Sequence, residues 1–310
     1  MNIQENIPLA PLTTFQIGGP ARYFVEANTF DGLKDALQYA RDHGIPFVLL
    51  SGGSNVLIPD AGLDALVIHL TKGKYAFSDN GLRADAGCNL LDLIKAANGE
   101  HLGGWEKLAG IPGSIGGAVR GNAGAFGSEI KDFVTVVHAL DSTTLKSRSF
   151  VHPYMTFSYR DSSFKQEPKW VITSVTVELG LVRREVGEKL IAETIAEREK
   201  RHLQNVKAAG SFFMNPVAPP GIVALFEQEK KTTSRESRVP AGWLIEKAGL
   251  KSAQVGGAVA SEQHPNYLVN AGGATAKDVL ALAAKIKTAV HEQFGVELHE
   301  EAAILLERGR

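Results

Sequence analysis

A single cysteine, Cys88, stands in the 310 residues. That excludes an intramolecular disulfide and a cysteine-built metal centre, and it fits a reducing compartment. In ADAGCNLL it reads as a small, buried or half-buried thiol. Neither sign of charge dominates. Lys and Arg number 33 against 34 Asp and Glu, a formal net charge of −1, so there is no basic field for nucleic acid or an anionic membrane. No apolar run approaches the roughly 18 residues of a membrane span. The start, MNIQENIPLAPLTTF, lacks the basic and apolar regions of a secretory signal, so a cytoplasmic protein is expected. The histidines show no metal-ligand spacing, and no metal is expected.

Two nucleotide motifs are also absent. No two of the 32 glycines stand two residues apart, so G-x-G-x-x-G occurs nowhere, which argues against a Rossmann site. G-x-x-x-x-G-K-[ST] is missing, which excludes a P-loop NTPase.

Glycine is nevertheless concentrated. Gly103, Gly104, Gly110, Gly113, Gly116, Gly117, Gly121, Gly124 and Gly127 fall within GGWEKLAGIPGSIGGAVRGNAGAFGSEI. Glycine loses the most backbone entropy on folding, so such a tract needs a reason. Close approach of backbone N–H groups to an anion, a diphosphate above all, supplies one. A flexible linker would be polar and serine-rich, whereas Leu108, Ile111, Ile115, Val119 and Phe126 interleave here and imply an ordered, packed loop. A second cluster, Ser51-Gly52-Gly53-Ser54-Asn55, leaves the apolar strand Phe47 to Leu50. Two such loops suggest a long ligand with an internal diphosphate.

Hydrophobic content of 44% and charged content of 22% describe a globular chain, and 310 residues suggest two or three domains. Apolar spacing predicts helices over Asp31 to His43, Asn89 to Asn98 with Asn89 as N-cap, Glu185 to His202, and Thr275 to Phe294 with Thr275 as N-cap. Strands are predicted at Phe47 to Leu50, Ala65 to Leu70, Phe133 to Leu140, Ser147 to Val151 and Trp170 to Leu179. The segment SFFMNPVAPPG reads as non-helical, and the charged stretch Glu227 to Arg238 as a solvated loop. The fold class is α+β, with expected divisions at 1–72, 73–205 and 206–310.

Six segments carry a resemblance. They are Thr14 to Ala21 (TFQIGGPA), Gly52 to Asn55, the tract Gly110 to Gly127, Ser158-Tyr159-Arg160, Gly210-Ser211-Phe212-Phe213, and Ala241 to Glu246 (AGWLIE). In this order they resemble the UDP-N-acetylenolpyruvoylglucosamine reductase family, across nearly the whole chain. The resemblance implies a two-part FAD-binding domain of the vanillyl-alcohol-oxidase type, over 1–72 and 73–205, and a C-terminal substrate-binding domain. It implies non-covalent FAD, NADPH as reductant and UDP-N-acetylglucosamine enolpyruvate as substrate, in peptidoglycan precursor synthesis. Carried over residue by residue, FAD would be bound by Ser51, Gly52, Gly53, Ser54 and Asn55, by Gly110, Ile111, Pro112, Gly113 and Ser114, and by Gly116, Gly117, Gly121, Asn122, Gly124 and Ala125.

The implied reaction moves hydride from NADPH, by way of the flavin, to the vinyl carbon remote from the ether oxygen. Charge then spreads from the neighbouring carbon into the attached carboxylate. Such chemistry needs a cation for the carboxylate and a proton source for the carbon. The resemblance assigns Arg160 to the first, Ser211 to the second, and Glu301 as the partner of Arg160. It assigns substrate contacts to Tyr159, Arg201, Asn215 and His264. By the residues alone, Lys200 and Arg201 both stand about ten before Ser211, and Glu300 neighbours Glu301. Two positions depart from the family: Met214 stands where it usually has lysine, and His299 interrupts its L-E-x-E pattern. The 51 residues from Arg160 to Ser211 match the shorter form of the family, which lacks a tyrosine-bearing lid. Two readings compete: another flavin oxidase or dehydrogenase on the same scaffold, against which Ser211, Glu301 and the Ala241 to Glu246 motif argue, and a binding protein that has lost catalysis, which Met214 and His299 favour and Arg160, Ser211 and Glu301 oppose.

Overall fold

Phe47–Leu50 is the edge of a four-stranded sheet ordered Gln4–Pro8, Pro20–Glu26, Leu63–His69, Phe47–Leu50. The structure is a computed structural model that describes residues 1–200 and 206–307. The first strand pair is antiparallel and the other two are parallel. Parallel neighbours need a crossover, and helix Phe30–Asp42 provides one. Thr29 caps it by accepting from the Gly32 N–H, and Leu33, Ala36, Leu37 and Ala40 bury one face against Leu66 and Ile68. Leu9, Phe24 and Val48 cover the sheet's other face. Buried on both sides, Leu63–His69 is accordingly almost wholly apolar.

A five-stranded antiparallel sheet follows, ordered Ser147–Val151, Val134–Asp141, Trp170–Glu178, Gly81–Asp85, Tyr75–Ser78. Helix Leu90–Gly99, capped by Asn89, and helix Ile115–Arg120 contribute to its core. Leu140 and Val171 of this sheet pack into the cluster of helix Phe30–Asp42, so the two sheets share a seam.

The remainder packs helices Pro220–Lys230, Ala241–Lys247 and Ala276–Phe294 with a three-stranded sheet, Gln254–Val255, Ala258–Ala260 and Leu268–Asn270. Thr275 and Asp278 form a reciprocal capping box at the start of Ala276–Phe294, and Gly295 ends it in the left-handed conformation. Asp60, from the first lobe, accepts from the Ala276 and Lys277 N–H groups. Phe15, Ile17 and Leu57 enter this C-terminal core. After the helix the chain returns, and Ala303–Ile304 pairs in parallel with Val56–Leu57, directly beyond the first glycine loop. That return brings Glu301 between the lobes.

The expected helices and strands are present, with ends shifted by a residue or two; the expected end at His202 lies outside the described residues. Two segments differ. The glycine tract is packed, but it contains helix Ile115–Arg120. Low helix propensity is overridden because Gly116 lies against Ala86, where a Cβ would come within 2.7 Å of the Ala86 Cβ. The charged stretch Glu227 to Arg238 is not simply a solvated loop. Glu227–Lys230 ends helix Pro220–Lys230, whose opening prolines suit a first turn, and the Arg238 side chain is only 30% exposed.

Candidate active site

Two glycine loops meet at one wall of the molecule. A Cβ on Gly52 would stand 3.0 Å from the Gly113 Cα, and the Ser54 hydroxyl donates to the Pro112 carbonyl at 3.0 Å. Gly53 and Gly113 are both left-handed, with φ of +58° and +111°, and a Cβ on Gly53 would collide with the Leu12 carbonyl. Ser51 donates its hydroxyl to the Leu70 carbonyl. Between the loops opens a cavity of about 530 Å³ lined by Ser51, Gly52, Gly110, Ile111, Pro112, Gly113 and Ser114, with Asn89, Thr71 and Glu199 around them. Side chains are thereby kept out where backbone must come close, which fits a diphosphate. Gly52→Val is expected to lower FAD affinity at least ~10-fold, while the urea midpoint of the apoprotein falls little, because only Gly113 opposes the added atoms. Flavin titration alongside urea melts measures both; unchanged affinity would remove Gly52 from the cradle.

The rest of the tract has another position. Asn122 is fully buried; its amide donates to the Ser158 carbonyl at 2.7 Å and accepts from the Lys131 N–H at 3.3 Å. Gly116 packs on Ala86, and Gly121 caps the short helix. Gly117 donates its N–H to the capping hydroxyl of Ser114. Gly124 and Ala125 pair with Glu129 and Ser128 in a hairpin. Of the first loop, Asn55 donates its amide to the Glu301 carbonyl at 3.2 Å, and its own carbonyl accepts from the Ala303 N–H at 2.9 Å. Asn122 and Asn55 thereby tie the tract and the first loop to the carbonyls of Ser158 and Glu301.

Arg160 sits in a tight turn closed by mutual Ser158 and Asp161 backbone bonds of 3.1 and 3.2 Å. Its φ of +56° is left-handed, a conformation an arginine adopts only when its surroundings impose it. Lys165 holds the Arg160 carbonyl at 2.9 Å, and Asn122 holds that of Ser158. The side chain donates Nε to Glu301 Oε1 at 2.6 Å and Nη2 to the Gly124 carbonyl at 3.0 Å. The rest of the guanidinium fork is left for a second carboxylate. Burial pushes the Glu301 carboxyl above the ordinary carboxylate range, against the pull of Arg160 and then Lys165. Burial alone would lower the Arg160 guanidinium, but Glu301 and Tyr159 outweigh it and raise it further, so it is a permanent cation.

Ser211 precedes two buried aromatic rings, Phe212 and Phe213, packed edge to face at 5.1 Å. Their burial anchors the segment by about 1.5–3 kcal/mol each. The Glu301 N–H donates to the Phe212 carbonyl at 2.8 Å and the Met214 N–H to the His299 carbonyl at 2.9 Å. This pairing sets the Ser211 segment beside Glu301. Alternation along that edge separates the neighbouring glutamates: Glu301 meets Arg160, whereas Glu300 accepts from Lys287 at 3.0 Å.

Tyr159 and Asn215 are joined, the Asn215 N–H donating to the phenol oxygen at 3.4 Å. Burial raises the Tyr159 hydroxyl above its usual value, so it is a neutral donor. Arg160 and Arg238 lie over its ring at 5.0 and 4.4 Å. Arg238 also donates to the Asn215 carbonyl at 2.9 Å. Arg238 and Lys165 are missing from the sequence reading, because neither charge pattern nor spacing distinguishes them from surface cations. His264 stacks edge to face on Tyr267 at 5.0 Å, on the loop facing Gly242. Lys200 lies in helix Arg184–Lys200, and Arg201 lies outside the described residues. Among the described residues no group of three or more His, Cys, Asp or Glu could hold a metal ion, and no helix is long and apolar enough to cross a membrane. The arrangement can grip a carboxylate with a fixed cation, with the Ser211 segment paired alongside Glu301 and the glycine loops joined to it through Asn55.

Comparison with known proteins agrees with this geometry. A family model described as FAD binding domain matches residues 21–144, and one described as UDP-N-acetylenolpyruvoylglucosamine reductase, C-terminal domain, matches 201–305. The chain is 36% identical over 304 residues to the UDP-N-acetylenolpyruvoylglucosamine reductase of Solibacter usitatus, covering 96% of this chain and 95% of that protein. It is 35% identical to that of Anoxybacillus flavithermus, covering 98% and 94%. The crystal structure of UDP-N-acetylenolpyruvylglucosamine reductase from Thermus caldophilus superposes with a TM-score of 0.77 at 30% identity, covering 98% of this chain and 99% of that one.

Proposed function

The chain belongs to the UDP-N-acetylenolpyruvoylglucosamine reductase family, and on that premise we propose that Arg160, Ser211 and Glu301 carry its reaction. It is an FAD-dependent oxidoreductase that reduces UDP-N-acetylglucosamine enolpyruvate to UDP-N-acetylmuramate with NADPH, in peptidoglycan precursor synthesis. Bound FAD supplies the hydride relay from NADPH to the enolpyruvyl carbon. The residues Ser51 to Ser54 and Gly110 to Ser114 would hold FAD, and their cavity, with side chains kept out, suits its diphosphate.

Arg160 takes the substrate carboxylate in its free N–H groups and stabilises the charge that develops there. Glu301 keeps the guanidinium turned and fixes its rotamer. The Ser211 hydroxyl gives its proton to the carbon beside the ether oxygen; a serine suffices because the enediolate is strongly basic. Tyr159, Asn215 and Arg238 bind the nucleotide-sugar, with Arg238 standing as a cation on the substrate side where Met214 has none. His264 and Arg201 are further substrate contacts under this reading. The observation that carries it is the Arg160–Glu301 pair at 2.6 Å, built next to the Ser211 segment and tied through Asn55 to the first glycine loop. A cytoplasmic site of action is supported by a chain with one buried thiol, Cys88, and no disulfide.

Without oxygen, NADPH consumption beyond the one equivalent that reduces the flavin is expected only when the enolpyruvyl UDP-sugar is present. The same sugar without its nucleotide is expected to react at least ~10²-fold more slowly, because remote diphosphate and uracil contacts position the reacting carbon. Steady-state assays with both compounds measure this. Equal rates would give the C-terminal domain another role.

A further inference from the structure

Resting on the assignment of Ser211 as proton donor, we propose that Asn266 is the positioning residue that sets the serine hydroxyl. Asn266 is 2% exposed. Its Oδ1 accepts from the Phe213 N–H at 2.9 Å and its Nδ2 donates to the Phe213 carbonyl at 2.9 Å, while its backbone carbonyl accepts from the Phe212 N–H at 2.7 Å. On the opposite edge, Glu301 holds the Phe212 carbonyl at 2.8 Å. One amide thus does for Phe213 what a neighbouring strand would do, and the peptide is fixed from both sides.

Upstream of Ser211, the holds among the described residues stand further off: the Thr14 hydroxyl donates to the Ala208 carbonyl at 2.7 Å and the Asn270 N–H to the Lys207 carbonyl at 2.8 Å. Gly210 has φ of +75°, and a Cβ placed on it would meet nothing within 4 Å. Gly210 stands between those holds and Ser211, whereas Phe212 and Phe213 are bonded directly beyond it, so the orientation of Ser211 is set from Phe212 and Phe213. Ring burial fixes where those residues sit but not the rotation of their peptides; the Asn266 amide fixes that rotation. A misplacement of about 1 Å in a reacting group can slow a step ~10²-fold.

The test uses the FAD-loaded enzyme and stopped-flow measurement of the two half-reactions. Asn266→Leu is expected to be reduced by NADPH within about twofold of wild type, and to be reoxidised by the enolpyruvyl UDP-sugar ~10–100-fold more slowly, with little change in half-saturation. Introduced into Ser211→Ala, it is expected to cause less than about a threefold further loss, since the group it positions is gone. Equal slowing of both half-reactions, or an undiminished loss in the Ser211→Ala background, would overturn the proposal and leave Asn266 a prop of the fold. If Asn266→Leu does not fold, Asn266→Asp is measured instead. Its carboxyl can donate to the Phe213 carbonyl only when protonated, so its reoxidation rate relative to wild type is expected to rise as pH falls. A ratio independent of pH, or failure of both variants to hold a folded, flavin-loaded state, also overturns the proposal. Should Ser211→Ala alone leave reoxidation intact, it is the parent assignment that fails, whatever Asn266 does, and this inference falls with it.

Discussion

Ser211→Ala is expected to bind FAD and to be reduced by NADPH at close to the wild-type rate, while its reoxidation by the enolpyruvyl substrate falls by ~10²–10⁴. The asymmetry follows from what the hydroxyl does. Hydride delivery to the cofactor involves no proton from Ser211; completion of the lactyl ether does. Removing one oxygen from a half-buried position leaves Phe212 and Phe213 in place, so the fold should hold. Cysteine at this position is expected to restore part of the rate, because a thiol also donates. Stopped-flow traces of both half-reactions decide the matter. Slowing of the NADPH step alone, or of neither step, would contradict the assigned role.

Arg160→Met is expected to slow reoxidation by ~10²–10³ and to destabilise the protein as well. The two effects have one origin. Arg160 and Glu301 expose 21% and 19% of their side chains, so removing the cation strands a largely buried carboxylate. Breaking a fully buried pair costs about 3–5 kcal/mol; with a fifth of each side chain still in water, about 2–3 kcal/mol is expected at neutral pH. The pH dependence has a definite sign. Burial already raises the Glu301 carboxyl, and losing Arg160 raises it further. A carboxyl whose folded-state pKa lies above its unfolded value favours the folded state in acid, and that contribution is lost as pH rises through the folded value. The stability gap to wild type is therefore expected to be small near pH ~4 and to widen above the ordinary carboxylate range. Urea melts at several pH values measure it; a gap that widens toward acid would contradict the pairing. Arg160→Lys keeps the charge but loses the planar fork, and is expected to recover stability more than rate.

The parts of the fold that were legible in the sequence are those fixed locally. Phe47–Leu50 is a short apolar run ended by small residues, and Thr275 opens a helix whose apolar spacing runs on toward Phe294. Helix Ile115–Arg120 was not legible, since what permits it is the close approach of Gly116 to Ala86, thirty positions earlier in the chain. Within the site, Arg160, Ser211 and Glu301 were singled out by family resemblance rather than by their own surroundings, because their proximity is made by long-range return of the chain. Arg160 and Glu301 are 141 residues apart in sequence. The supporting groups were hidden for the same reason. Lys165, Arg238 and Asn266 have ordinary sequence neighbours, and their roles arise from carbonyls and rings brought to them by other segments. Asn122 drew attention as part of a glycine-rich cradle; the brace that its buried side chain gives the Arg160 turn was not legible.

The most direct test is a single anaerobic turnover of the wild-type enzyme. Flavin is first reduced with one equivalent of NADPH, and UDP-N-acetylglucosamine enolpyruvate is then added without oxygen while the flavin absorbance is followed. The oxidised spectrum is expected to return in one phase, with one UDP-N-acetylmuramate formed per flavin. Flavin that stays reduced until oxygen is admitted would contradict the account and make the chain an oxidase built on the same scaffold.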